Sequence, residues 1–293
     1  MTACIGALTV VGPSIVLAAD TRVTHGSSPV EPNDQAGKQY PLPPYNFATA
    51  IAGSITECHE FVGRLVQRLE LLSKADRDPF REEVMEAIND ARFQVFRPKI
   101  DQAFRASLGI TLQEWHDRFV PPAEFDFAAE RFGMQAIRAT PLNVACIVGG
   151  FTAENTMFFC AKGMEHLRSE SSPGVHAIGS GSVLAMNQLN KRGQNLAYSL
   201  ARTVFHVHEA MLEAQKEPTV GPPTNYLILT KGQPMTYVPA QSELLARWLA
   251  HYREENSSPL DTEEANFAIQ REMQPVQMPP YDIDFPAPNS AIS

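Results

Sequence analysis

Apolar positions cluster from the start of the chain. Residues 3 to 11 and 15 to 19 are small and β-branched apolar runs on either side of Gly12-Pro13-Ser14, the pattern of a tight antiparallel hairpin buried on at least one face. From Ser27 to Pro44 the composition turns to Pro, Asn, Asp and Gly, a loop or irregular edge, before Phe47 to Ala52 restores strand character and Gly53 ends it. Cys58, Phe61, Val62, Leu65, Val66, Leu69 and Leu72 then recur at intervals of three and four, which puts them on one face of a helix. Val84, Ile88, Ala91 and Val95 predict a second helix, which Pro98 should end or kink.

Residues 106 to 140 lack a sustained period: Trp115, Phe119, Phe125, Phe127 and Phe132 are aromatic and Pro121-Pro122 interrupts them. This stretch reads as an insertion of mixed helix and loop. Strand character returns at Asn143 to Val148, Thr156 to Ala161 and Val175 to Ile178. Gly179-Ser180-Gly181-Ser182 leads into a helical stretch, and a further helix carries Leu196, Leu200, Val204, Val207 and Met211 on one side. Tyr226 to Thr230 and Met235 to Val238 form a last hairpin about Lys231-Gly232. Leu244, Leu245, Trp248, Leu249 and Tyr252 mark a final helix, and beyond Glu255 the chain is polar and then Pro-rich. The order is strands, two helices, strands, two helices, strands. Hairpins imply antiparallel sheets, and helices arriving in pairs can cover the outer faces of two stacked sheets, so the expected class is α+β in four layers.

Composition narrows the function. The chain has 293 residues, 44% hydrophobic and 19% charged, enough to bury the core of one decorated domain or at most two. With 24 Lys and Arg against 33 Asp and Glu, the formal net charge is -9, which disfavours nucleic acid as a partner. Cys4, Cys58, Cys146 and Cys160 are widely spaced, with no C-x-x-C pair and no His cluster at ligand spacing. They read as reduced core residues of a cytoplasmic protein, and neither metal nor other cofactor is expected. Ala3 to Ala19 is apolar enough to suggest a secretory leader, but no Lys or Arg precedes Arg22 and Gly12-Pro13-Ser14 breaks the run. No segment approaches the roughly 18 apolar residues of a membrane span. His206 and His208, on a predicted helix, read as covering that helix rather than as ligands.

Thr2 is chemically unusual if it becomes the chain terminus. A threonine hydroxyl is a weak nucleophile, but a terminal one has its own α-amine beside it, with an ordinary pKa of about 7.7 to 8.0, suited to a general base near neutral pH. Met1 precedes a small residue, the kind of initiator that is removed. By position alone Thr2 is merely the residue after Met1. The residues downstream of it change that picture: the second strand runs into Ala18-Ala19-Asp20-Thr21-Arg22-Val23-Thr24, then come Lys38, Ile51-Ala52-Gly53-Ser54 and Gly179-Ser180-Gly181-Ser182.

This ordered set resembles the proteasome β-subunit family of N-terminal-nucleophile (Ntn) hydrolases, with its bacterial HslV-type and Anbu-like relatives, over residues 2 to 75 and 143 to 232. The resemblance implies a four-layer αββα sandwich spanning 2–240 with an insertion at about 106–140, followed by a C-terminal helix and Pro-rich extension at 241–293. It implies that Thr2 is the nucleophile, Lys38 the lysine that favours its neutral amine and ionised Oγ, Asp20 the carboxylate orienting that lysine, and Arg22 its structural support. The resemblance likewise implies that Gly53 supplies the oxyanion N–H, a donor of the kind worth about 3 kcal/mol, and that Ser180 lies against the nucleophile. One departure stands out. The family has an Asp, then a Ser and paired glycines before its last hairpin; here counting from Ser180 places Glu217, Val220 and Gly221-Pro222 there.

The family's substrate pocket would be lined by Val23, Thr24, Ala36, Ile51 and Ile55, suiting a modest apolar side chain. The implied activity is amide-bond hydrolysis of a peptide or unfolded-protein substrate, in a homo-oligomeric ring or helical assembly; an ATPase partner is not specified by the sequence. Two alternatives stay open: a catalytically silent assembly subunit, and an amidase or acylase for small amides.

Overall fold

Two five-stranded antiparallel sheets organise the computed structural model. It describes residues 2–10, 12–21, 24–25, 28–29, 37–119, 135, 137, 139–152, 156–171, 173–222 and 224–239. Arg22, Val23, Ala36, the side chain of Thr24, most of the 120–138 stretch and the predicted helix and Pro-rich extension at 241–293 lie outside the described residues.

The first sheet has the order β10-β1-β2-β11-β12 and is built from β1 (Ala3–Thr9), β2 (Ser14–Asp20), β10 (Val175–Gly179), β11 (Thr224–Thr230) and β12 (Thr236–Val238). The second has the order β5-β6-β7-β8-β9, from β5 (Gln39–Pro41), β6 (Phe47–Gly53), β7 (Val144–Phe151), β8 (Thr156–Lys162) and β9 (Arg168–Ser169). Two residues each of β3 (Thr24–His25) and β4 (Ser28–Pro29) pair separately. Five helices accompany them among the described residues: α1 (Ile55–Ser73), α2 (Arg81–Leu108), α3 (Leu112–Phe119), α4 (Ser182–Lys191) and α5 (Leu200–Ala214). The fold is therefore α+β, as expected.

Side-chain alternation divides the core into three. Ala3, Ile5 and Ala7 of β1 pack with Val204, Val207 and Met211 of α5. Cys4 and Leu8 of the same strand point the other way, to meet Ala48, Ala50, Ile147 and Phe158 of the second sheet. Behind that sheet, Phe47, Ile51 and Phe159 pack with Phe61, Leu65 and Leu69 of α1 and with Val84, Ile88 and Ile100 of α2. Both faces of β1 and β2 are covered, and every residue of the two strands is buried. This is why their sequences are continuous apolar runs and not alternating ones.

Two expectations need correction. Pro98 neither ends nor breaks its helix: α2 continues to Leu108. A proline here forgoes one backbone hydrogen bond and crowds the carbonyl four residues back, at a cost of about 3 kcal/mol. Burial of Ile100 and Phe104 beyond it, with Phe104 edge-on to Trp115 at 5.5 Å, offsets that cost. Trp115 belongs to α3, whose start is a reciprocal cap: Thr111 Oγ1 accepts from Glu114 N at 3.0 Å and Thr111 N donates to Glu114 Oε2 at 2.7 Å. Leu196 lies before α5, which starts at Leu200 behind the N-cap Ser199; it packs instead beside the core between the sheets.

Phe158 is fully buried where the two sheets face each other. Phe158→Ala should lower the unfolding free energy by about 3–5 kcal/mol, read as a drop in the urea midpoint with an unchanged slope. A loss under about 1 kcal/mol would mean that this interface carries little of the stability.

Candidate functional site

Thr2 enters β1 at one end of the first sheet, and the neighbouring strand grips it. Ala3 pairs with Gly179 in β10, so the turn after β10 is laid directly against the Thr2 peptide. The Thr2 carbonyl oxygen accepts from Ser180 Oγ at 3.3 Å and from Gly181 N at 3.4 Å. Gly179 has φ +91°, and a Cβ there would stand 2.1 Å from that oxygen and 3.2 Å from the Thr2 methyl. Only glycine permits so close an approach.

The next peptide N–H is held by a buried anion. Asp20, at the end of β2 and 1% exposed, accepts from Ala3 N at 2.8 Å and from Lys38 Nζ at 2.9 Å on the same oxygen, Oδ1. Its Oδ2 faces Gly221 N at 3.4 Å. The Lys38 ammonium and the peptide following Thr2 are thereby neighbours. The Lys38 backbone is fixed in turn: its carbonyl accepts from Ile51 N at 2.8 Å, and Tyr40, two residues on, donates to the Gly37 carbonyl and meets His59 Nε2 at 2.8 Å. Gln39 Nε2 crosses to the first sheet, donating to Leu17 O at 2.8 Å.

Across from Thr2, β6 ends at Gly53 with φ +133°; a Cβ there would stand 1.9 Å from Asn143 O. Ser54 N donates to that same carbonyl at 2.7 Å. Asn143 is itself tied down, because its N–H donates to Glu57 Oε2 at 2.9 Å while Glu57 Oε1 pairs with Lys99 of α2 at 2.9 Å. Gly53, Asn143, Lys162, His176 and Ser180 join Thr2 in the wall of a cleft of about 840 Å³. The wall near Lys162 is fastened from behind by Arg92, which is 3% exposed and donates to the Gly163 and Glu165 carbonyls; burial lowers the pKa of its guanidinium.

The structure thus brings Thr2, Gly53 and Ser180 to one cleft and links Asp20 and Lys38 to the peptide beside Thr2. It does not bring every expected residue there. Ile51 is 3% exposed and packed on the helix side of the second sheet; Ile55 is 39% exposed at the start of α1. Neither stands in the wall of this cleft. Glu217 accepts from Thr219 Oγ1 at 3.5 Å, at the outer limit of a hydrogen bond.

Counting along the chain also overlooks a hydroxyl. Val220, where the count expects a serine, is 2% exposed and belongs to the core under α5. Its neighbour Thr219 supplies a hydroxyl instead, 2.9 Å from Ser180 Oγ. The signal in the sequence is the adjacent Thr, displaced by one position because the 217–220 segment turns, with Val220 N donating to Glu217 O at 2.9 Å. His206 and His208 are used structurally, against Gln194 Oε1 and Tyr226 OH, each at 2.7 Å. All four cysteines are buried free thiols. Among the described residues no helix is long and apolar enough to cross a membrane. A comparison of the chain with known family models finds no match, and neither does a search of curated proteins.

Removing the Asp20 charge while keeping its shape leaves the Lys38 ammonium, whose side chain is 12% exposed, without its carboxylate. Asp20→Asn should cost about 3–5 kcal/mol of stability, and Lys38→Met added to it should recover part of that loss. Additive single losses in the double-mutant cycle would show that the pair is uncoupled.

Proposed function

We propose that the chain is an Ntn hydrolase of the proteasome β-subunit kind, with the four-layer αββα sandwich of that class, and that it cleaves peptide amide bonds through Thr2. One observation carries the reading. Thr2 stands in the cleft wall with its carbonyl held by Ser180 and Gly181 and its following N–H held by the carboxylate that also holds Lys38. Two glycines at positions where a Cβ would meet backbone, Gly53 and Gly179, and a buried ion pair stand around this single threonine.

Once the peptide bond before Thr2 is cut, its α-amine takes the Oγ proton as Oγ attacks the substrate carbonyl carbon. The oxyanion accepts from Gly53 N–H. The amine then protonates the departing amine, leaving an ester on Thr2 Oγ, and water reverses these transfers to release the acid. Lys38, fixed by Asp20, disfavours a second positive charge on the Thr2 amine and so keeps it a base. The Ser180 and Thr219 hydroxyls, 2.9 Å apart, form a chain along which a proton can move. A homo-oligomer that encloses the cleft is part of the proposal, as is a peptide or unfolded-protein substrate.

The silent-subunit reading draws on the long Glu217–Thr219 contact and on Val220 in the place of a serine. Hydrolysis of a short fluorogenic peptide by protein processed to Thr2 separates the two. Thr2→Ala should lower kcat at least about a thousandfold, since the whole covalent route is lost, and Thr219→Val should lower it about tenfold. Undetectable hydrolysis by the processed wild-type chain favours the scaffold.

A further inference from the structure

Three side chains from two sheets and a turn converge beside the same cleft, which Cys160 and His176 line. Cys160 lies on β8 of the second sheet, His176 on β10 of the first, and Glu170 in the turn between β9 and β10. One ligating atom from each falls within 4.8 Å of the others. Cys160 Sγ is 3.4 Å from Glu170 Oε1, and His176 Nδ1 is 3.6 Å from the same oxygen. Glu170 is placed by its backbone: its N–H donates to Phe158 O at 2.9 Å and its carbonyl accepts from Gly174 N at 2.8 Å.

We propose that Cys160, Glu170 and His176 form a binding site for one zinc-type divalent ion, which clamps β8 of one sheet to β10 of the other. Zinc bonds of about 2.0–2.3 Å in a tetrahedron set neighbouring ligand atoms roughly 3.3–3.8 Å apart. The two distances to Glu170 Oε1 already have that length, and the sulfur-to-imidazole edge lies within 4.8 Å. A thiolate, a neutral imidazole and a carboxylate suit zinc, and the oxygen-seeking Mg²⁺ and Ca²⁺ would not select the sulfur.

Burial and the Glu170 carboxylate push the Cys160 thiol up to about 12, so the ion has to displace the thiol proton. On binding, the Sγ–H bond breaks, the proton leaves to solvent and the sulfur electron pair forms the Sγ–Zn bond. Thiolate and carboxylate together match the two charges of the ion, so the filled site is neutral. Cys160 and His176 both line the cleft, which leaves the fourth position to water or to a group entering the cleft. The clamp fastens the strand whose end, Gly179-Ser180, grips Thr2. It stands whether or not Thr2 is a nucleophile.

The test uses the full chain, reduced and stripped with a chelator, titrated with Zn²⁺ against a fluorescent competitor and separately with Co²⁺. The wild type should bind one equivalent and show a thiolate-to-cobalt charge-transfer band, and its thermal midpoint should rise with zinc. Cys160→Ser should abolish the band, and His176→Gln should weaken zinc binding at least about a hundredfold, the upper end of what loss of a mere supporting partner costs. Cys58→Ser should change neither. His176 is partly exposed, so its variant folds even if Cys160→Ser does not. Absence of binding by the wild type, or a cobalt band that survives Cys160→Ser, would overturn the site.

Discussion

A buried carboxylate with three donors holds the candidate site together. Asp20 cannot keep its charge in the core without compensation, and it receives an ammonium from Lys38 and N–H groups from Ala3 and Gly221. Those donors come from the start of β1, the segment entering β5 and the loop before β11. Each belongs to a different stretch of chain, and the carboxylate sets their spacing. Thr2 is therefore placed by electrostatics on one side and by close backbone packing against Gly179 on the other.

The two sheets make that placement stiff. Cys4 and Ala19, next to Thr2 and Asp20, are packed against Ala50 and Ala52 of the facing sheet, and Cys4 Sγ donates to Ile51 O at 3.3 Å. Small side chains at these positions bring the sheets near enough for residues from both to share one cleft. Gly53 and Asn143 on the second sheet then face Thr2 and Ser180 on the first. The Glu57–Lys99 pair and Arg92 transmit the position of α2 to that rim. Helices remote from Thr2 thus set the shape of its surroundings.

Much of this is legible in the sequence because it is local. Strand runs, the three-and-four spacing of α1 and the glycine ending β6 are short-range patterns, and the structure has most of them within one or two residues; β7 runs three residues past Val148, and the short β5 and β9 lie where no strand pattern is visible. Features that depend on neighbours in space are not legible in that way. Pro98 is tolerated because Ile100 and Phe104 find a core, which no window around the proline reveals. Thr219 reaches Ser180 through the turn of its segment. The Cys160, Glu170 and His176 group shows no ligand spacing, since its members come from two sheets and a turn. The family resemblance implies a pocket place for Ile51, whereas strand alternation sends its side chain with Phe47 toward the helices.

The proposed acylation of Thr2 Oγ can be read by reaction of the processed chain with a peptide β-lactone, followed by intact mass and fragment sequencing. A single adduct carried on the Thr2 hydroxyl is the predicted result. An adduct on any other residue, or none on protein that begins at Thr2, would contradict it.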